Sequence, residues 1–287
     1  ETFAQLVQFR RELAEYSTRV KNFHRSAADL RRQVMADGNY DVCKTVDLHP
    51  DGVRALFNSS GQLSLSSSGY VEPLLPPMRH PNYCDPHRDN KDRRAKLFDL
   101  SYLVHDFGTM CRKLKPTSRI VLFDIGASLT YAGVDSPAIY LTEIYDKFGF
   151  PFDHIYAYEV NPTEPKVVFN KVPRKMLPAY HWINVGVDTT PGGHLNPFTI
   201  LLDKYNEDDL IVVKLDIDTP SLELPLARQV LEDERLQRLV DQFYFEHHVP
   251  LWELRRDWKV KVSESVQESL ELFHELRTKG VPAHFWV

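Results

Sequence analysis

From residue 119 to residue 287, continuous apolar runs alternate with stretches of helical periodicity, and this alternation limits the fold more than any other feature. The runs cover 120–123, 155–158, 182–187, 210–215, 243–245 and 283–287. Between most of them lie helical patterns at 136–148, 221–238 and 262–278, with a shorter one at 196–207. A strand that is apolar at every position has no face to give to water, so both faces must be covered. Helices alternating with such strands supply the cover through crossover connections, which make neighbouring strands parallel. The expected architecture is α/β: a doubly wound, mostly parallel sheet with helices on both faces.

The first third of the chain departs from this rhythm. Phe3, Leu6, Val7, Leu13, Val20, Phe23, Leu30 and Val34 recur at helical spacing among many charges, ending at Asp37-Gly38-Asn39. One or two amphipathic helices are expected there, either packed on the main domain or forming a stalk. Residues 58–93 are rich in Ser, Gly and Pro and read as a long loop or lid, whereas 96–114 return to helical periodicity. The expected division is a helical extension at 1–57, a lid at 58–95 and the α/β domain at 96–287.

Composition narrows the classes of function. Hydrophobic content of 43% and charged content of 26% are ordinary for a soluble globular chain. A net charge of −5 makes no electrostatic case for nucleic acid or an anionic membrane as partner. No apolar stretch approaches the roughly 20 residues that span a bilayer. The sequence starts at Glu1 rather than Met, which fits a signal peptide or membrane anchor upstream. Cys43, Cys84 and Cys111 are too few for a disulfide scaffold; one disulfide with a free thiol and three reduced thiols both fit. Asn58-Ser59-Ser60 is a glycosylation acceptor in a loop. These signs slightly favour the secretory pathway, such as the Golgi lumen, over the cytoplasm.

The chemistry concentrates where strands end. The first run stops at Asp124, the second at Glu159, the fourth at Asp216 and Asp218, and the fifth at Glu246, His247 and His248. Ligands of open α/β sheets bind beyond the carboxyl ends of the strands, and a purely structural strand needs no acid there. Gly126 allows a tight turn and a close backbone approach, with Asp124, Ala127 and Ser128 lining the same loop. Glu159 is placed to accept hydrogen bonds from ribose hydroxyls. The second and third glycines of G-x-G-x-x-G are missing, so a cofactor with a nucleoside but no pyrophosphate fits better than a dinucleotide.

"VLFDIGAS", "IYAYEVNP", "INVGV" and "TILLDKYNEDDLIVVKLDIDTPSLE" together resemble the class I S-adenosylmethionine-dependent methyltransferases, and within them the FkbM-type family. The likeness covers about residues 119–249 and leaves the first 118 residues unexplained. It implies a Rossmann-like methyltransferase sheet. It further implies that Asp124, Gly126 and Ala127 contact the methionine moiety, that Glu159 holds the ribose, that Asn161 lies near the adenine, and that Asp216 faces the transfer site. The chain departs from the family pattern at Val160, where a proline is usual, and at Asp218-Thr219-Pro220, where a Glu-Gly pair is usual.

Two further expectations concern the reaction. In extended backbone Asp216 and Asp218 share one side, as do Glu246 and His248, with His247 opposite. Oxygen-rich clusters suit Mg²⁺ or Mn²⁺, with Asp216, Asp218 and Glu246 as expected ligands. The resemblance adds that some sugar O-methyltransferases carry a similar D-x-D strand and a divalent metal. Without a metal, the same carboxylates would cap helices and a histidine would bond inside the core. His247 or His248 would serve as general base beside Asp216, whereas His181 and His194 read as core or surface residues. The expected activity is O-methylation of a small or glycan-like hydroxyl compound. Two rivals stay open: a metal-dependent glycosyltransferase using Asp216-Ile217-Asp218 as its D-x-D, and a binding module of the same fold without catalysis.

Overall fold

The computed structural model describes residues 113–129, 137–147, 149–249 and 264–286, together with positions 100, 103, 105, 110, 111 and 262. The expected helical extension, the lid, Asn58, Cys43 and Cys84 lie outside the described residues. Cys111 is disulfide-bonded.

Six strands form one sheet: β1 (Ile120–Ile125), β2 (His154–Tyr158), β3 (Tyr180–Ile183), β4 (Leu210–Leu215), β5 (Val240–Phe245) and β6 (Ala283–Phe285). Their order is β3-β2-β1-β4-β5-β6, and every neighbouring pair is parallel. The chain builds outward from β1 to β3, then crosses back to place β4 on the other side of β1. That reversal places the switch point of the sheet between β1 and β4, and ligands of such sheets bind beyond the carboxyl ends of the strands at that point.

Helices cover both faces, as continuous apolar strands require. Val121, Phe123, Ile125, Ile211, Val213 and Leu215 pack against Phe198, Leu201, Leu226, Val230, Phe273 and Leu276. These last belong to α3 (Pro197–Lys204), α4 (Pro220–Glu232) and α6 (Val266–Thr278). On the opposite face Leu122, Ile155, Ala157 and Val212 meet Leu141, Tyr145 and Val168, from α1 (Pro137–Lys147) and α2 (Pro165–Lys171).

Local chemistry sets the helix starts. α2, α3 and α4 each begin on proline, whose fixed φ suits the first turn and whose missing N–H costs nothing there. Asn196 caps α3 by accepting the Phe198 N–H at 2.9 Å, and Ser265 with Glu268 forms a capping box on α6.

The largest differences from the sequence expectation fall at two boundaries. The pattern at 221–238 is two helices, α4 and α5 (Glu234–Leu239), because Asp233 adopts extended backbone and caps α5 through the Arg235 N–H. The third strand ends at Ile183 rather than running to 187. Asn184 leaves the ladder there, and its side-chain amide donates to the carbonyls of Glu159 at 2.6 Å and Asn161 at 2.9 Å.

Candidate functional site

After every strand but β3, the next residue carries the ladder one step further, and these residues form a row along the rim. Glu159 N–H bonds Ile183, Gly126 N–H bonds Tyr158, Asp216 N–H bonds Ile125, Glu246 N–H bonds Leu215, and Trp286 N–H bonds Phe245. Asp124, Glu159, Asp216 and Glu246, scattered over the linear sequence, therefore belong to adjacent strand ends on one edge of the sheet.

At the β1–β4 junction the centre is Lys214, which the sequence reading did not single out. It is fully buried. Its ammonium donates to the Gly126 carbonyl at 2.7 Å and stands 3.1 Å from both Asp124 Oδ1 and Asp216 Oδ2. Trp286 Nε1 donates to the same Asp216 oxygen at 3.2 Å. Burial alone would lower the lysine's pKa, but the two carboxylates outweigh it and the net shift is upward. Burial pushes the Asp124 carboxyl the other way, toward the neutral form, with Lys214 opposing. We take this group as ionised, because an ammonium ringed by three oxygens has no comparably satisfied neutral state. Asp124 is fully buried, and neither of its oxygens has a well-aligned hydrogen bond despite the nearby ammonium.

The Gly126 turn is needed by the fold itself. Its φ is +93°, and a Cβ there would lie 1.6 Å from the Asp216 carbonyl oxygen. The N–H groups of Gly126 and Ala127 both point at the Tyr158 carbonyl, at 3.0 and 2.8 Å, and Ser128 N–H bonds Gly126. The turn thus keeps its donors for the protein. Ala127 is buried, and Ser128 is partly exposed. Glu159 is also partly exposed, and one carboxylate oxygen accepts the backbone N–H of Asn161 at 2.7 Å and its side-chain amide at 2.8 Å. Asn161 is exposed beside it.

At the β4–β5 junction, Asp218, Glu246 and His248 bring one potential ligand atom each within 4.8 Å of one another. His248 Nε2 lies 2.9 Å from Glu246 Oε2 and 3.8 Å from Asp218 Oδ1. Asp218 reaches this position with a φ of +55°, a left-handed backbone uncommon outside glycine. Of the expected metal set, Asp218 and Glu246 lie in this group. Asp216 is held by Lys214 and Trp286, and His248 completes the group of three.

The two expected bases also separate. His247 stacks on Phe245 and meets Ser269 Oγ at 2.9 Å and Glu264 at 3.0 Å, so it is tied to the base of α6 on the other face. Glu223, in the first turn of α4, was missed by the sequence reading. One of its oxygens accepts the Ile217 N–H at 2.8 Å, and the other is buried without a hydrogen-bond partner. Burial, reinforced by Glu246 and opposed by His248, pushes this carboxyl up to about 8. A cavity of about 480 Å³ opens elsewhere, among α3, the end of α4 and the start of α5, and none of its lining residues belongs to the rim.

The class the structure defines is an α/β protein with a six-stranded parallel sheet and a polar rim at its carboxyl edge. No protein-family model, curated protein or solved structure matches the chain.

Proposed function

We propose that this chain is an S-adenosylmethionine-dependent O-methyltransferase acting on a hydroxyl of a small or glycan-like acceptor. One observation carries the reading: the ends of β1, β2 and β4, with Gly126, Glu159 and Asp216, lie side by side at the point where strand order reverses. The committed N–H groups of Gly126 and Ala127 weigh against a pyrophosphate cradle, which needs such donors free. They support a cofactor with a nucleoside and no pyrophosphate.

In this proposal Glu159 holds the ribose, with Asn161 and Ser128 beside it. Asp124 supports the Gly126 turn through Lys214 instead of touching the cofactor. When bound, the cofactor supplies a methyl group on a sulfonium, and its transfer to oxygen requires alignment and loss of the acceptor's proton. With His247 tied to α6, proton handling falls to the Asp218–Glu246–His248 group. Asp216 stands between this group and the Gly126 turn. The disulfide at Cys111 supports an oxidising compartment, hence the secretory pathway.

Calorimetry with S-adenosylhomocysteine tests the proposal. Micromolar binding abolished by Glu159→Ala is the expected result. Binding of UDP with Mn²⁺ instead would favour a glycosyltransferase, although Asp216, the first acid of its D-x-D, is engaged by Lys214 and Trp286. Binding of neither would leave a non-catalytic module of the same fold.

A further inference from the structure

We infer that Asp218, Glu246 and His248 bind a divalent first-row transition ion, of the Mn²⁺ type, at the carboxyl ends of β4 and β5. Three observations converge. The first is geometric. Donors about 2.1 Å from a shared octahedral ion stand about 3 Å apart along an edge. His248 Nε2 and Glu246 Oε2 share a hydrogen bond of 2.9 Å, the length of such an edge, so an ion that displaces its proton finds both donors at the right separation; Asp218 Oδ1, 3.8 Å from the same nitrogen, belongs to an exposed side chain that can turn toward them.

The second is burial and access. Glu246 is 2% exposed and His248 is buried with it, so their ligand atoms are held away from bulk water. The Asp218 side chain is 76% exposed, which leaves an entry path and room for further oxygen ligands.

The third lies outside the ligand set. Glu223 is 1% exposed, and one of its oxygens has no hydrogen-bond partner. A buried carboxyl so placed is stabilised by a cation among its neighbours. Its other oxygen holds the Ile217 N–H and so helps fix the left-handed turn at Asp218. The imidazole ligand selects the ion. An all-oxygen set would suit Mg²⁺ or Ca²⁺, whereas nitrogen with two carboxylates favours Mn²⁺ or its softer neighbours. Within the methyltransferase reading, on which this last step rests, the ion polarises the acceptor oxygen and lowers the pKa of its hydroxyl. The site itself stands whether or not that reading holds.

Titration of Mn²⁺ into the full chain, followed by electron paramagnetic resonance, tests the inference. The expected result is one tightly held ion per chain, with nuclear modulation from a coordinating imidazole nitrogen. Asp218→Asn, at an exposed side chain, should weaken the ion by about tenfold or more without unfolding the protein, and His248→Gln should erase the nitrogen signal. Glu159→Ala should leave Mn²⁺ binding intact while removing nucleoside binding, which separates failure of this site from failure of the cofactor reading. Absence of binding to the folded chain would overturn the inference. So would unchanged affinity in both Asp218→Asn and Glu246→Gln, or coordination by oxygen alone.

Discussion

At the β1–β4 junction two carboxylates share one lysine, and at the β4–β5 junction two carboxylates, Asp218 and Glu246, share one imidazole, with Glu223 buried close by. The first group is closed. Lys214 has three oxygen partners, Asp124 is fully buried, and Trp286 caps Asp216 from the side. The second is open. Asp218 is exposed on a left-handed backbone, and Glu223 keeps an unpartnered oxygen. A closed cluster with its own cation behaves as part of the core. An open cluster with one exposed carboxylate beside a buried one is suited to receiving a cation from outside. Residue types alone do not separate the two; the position of one lysine does.

The comparison breaks most visibly if Lys214 is removed. Lys214→Met should destabilise the fold by about 3–5 kcal/mol, because it strands buried Asp124 without its counter-charge. Adding Asp124→Asn should recover a large part of that loss, since a buried charge then no longer lacks its partner. Urea denaturation of both variants measures it, and a loss under about 1 kcal/mol for Lys214→Met would contradict a closed, charged core. Next in size is Gly126→Ala, expected to cost about 3 kcal/mol through the contact with the Asp216 carbonyl and the positive φ.

Glu223 sharpens the open side through pH. Its carboxyl rises from 4.5 to about 8 on folding, chiefly by burial, so the folded chain holds this proton more tightly than the unfolded chain. Its contribution is present below pH 4.5 and is lost as pH rises through about 8. The slope it adds is up to about 1.4 kcal/mol per pH unit within that window. Glu223→Gln should flatten this part of the stability profile; an unchanged profile would mean the group is hydrated. The smallest effect is expected at Asp218. Asp218→Gly should stabilise by about 0.5–1 kcal/mol, because glycine adopts the left-handed backbone without the steric cost that aspartate bears. A destabilised Asp218→Gly variant would show that the turn is not strained.

Much of the rim was legible in the sequence. The acids at the strand ends follow directly from where apolar runs stop, and Gly126 follows from the turn after the first of them. Lys214 was legible in principle, since one cation inside "LIVVKLDID" must find a counter-charge once the strand is buried. Glu223 gave a weaker signal, as an acid among apolar neighbours in the first turn of a helix. Trp286 gave none, because its partner is Asp216, 70 positions earlier. The division of the histidines was half legible. Alternation places His247 and His248 on opposite faces, but which face held the site depended on what α6 brought to the other.

The linear chain by itself determined that there would be a parallel sheet, roughly where all its strands but the third lie, and which of their ends are polar. Those properties depend on runs of neighbouring residues and on the need to bury them. Tertiary structure alone decided which acids share Lys214. That choice turns on distances of about 3 Å between side chains far apart in sequence, and strand order, a left-handed turn and the direction of one lysine fix those distances.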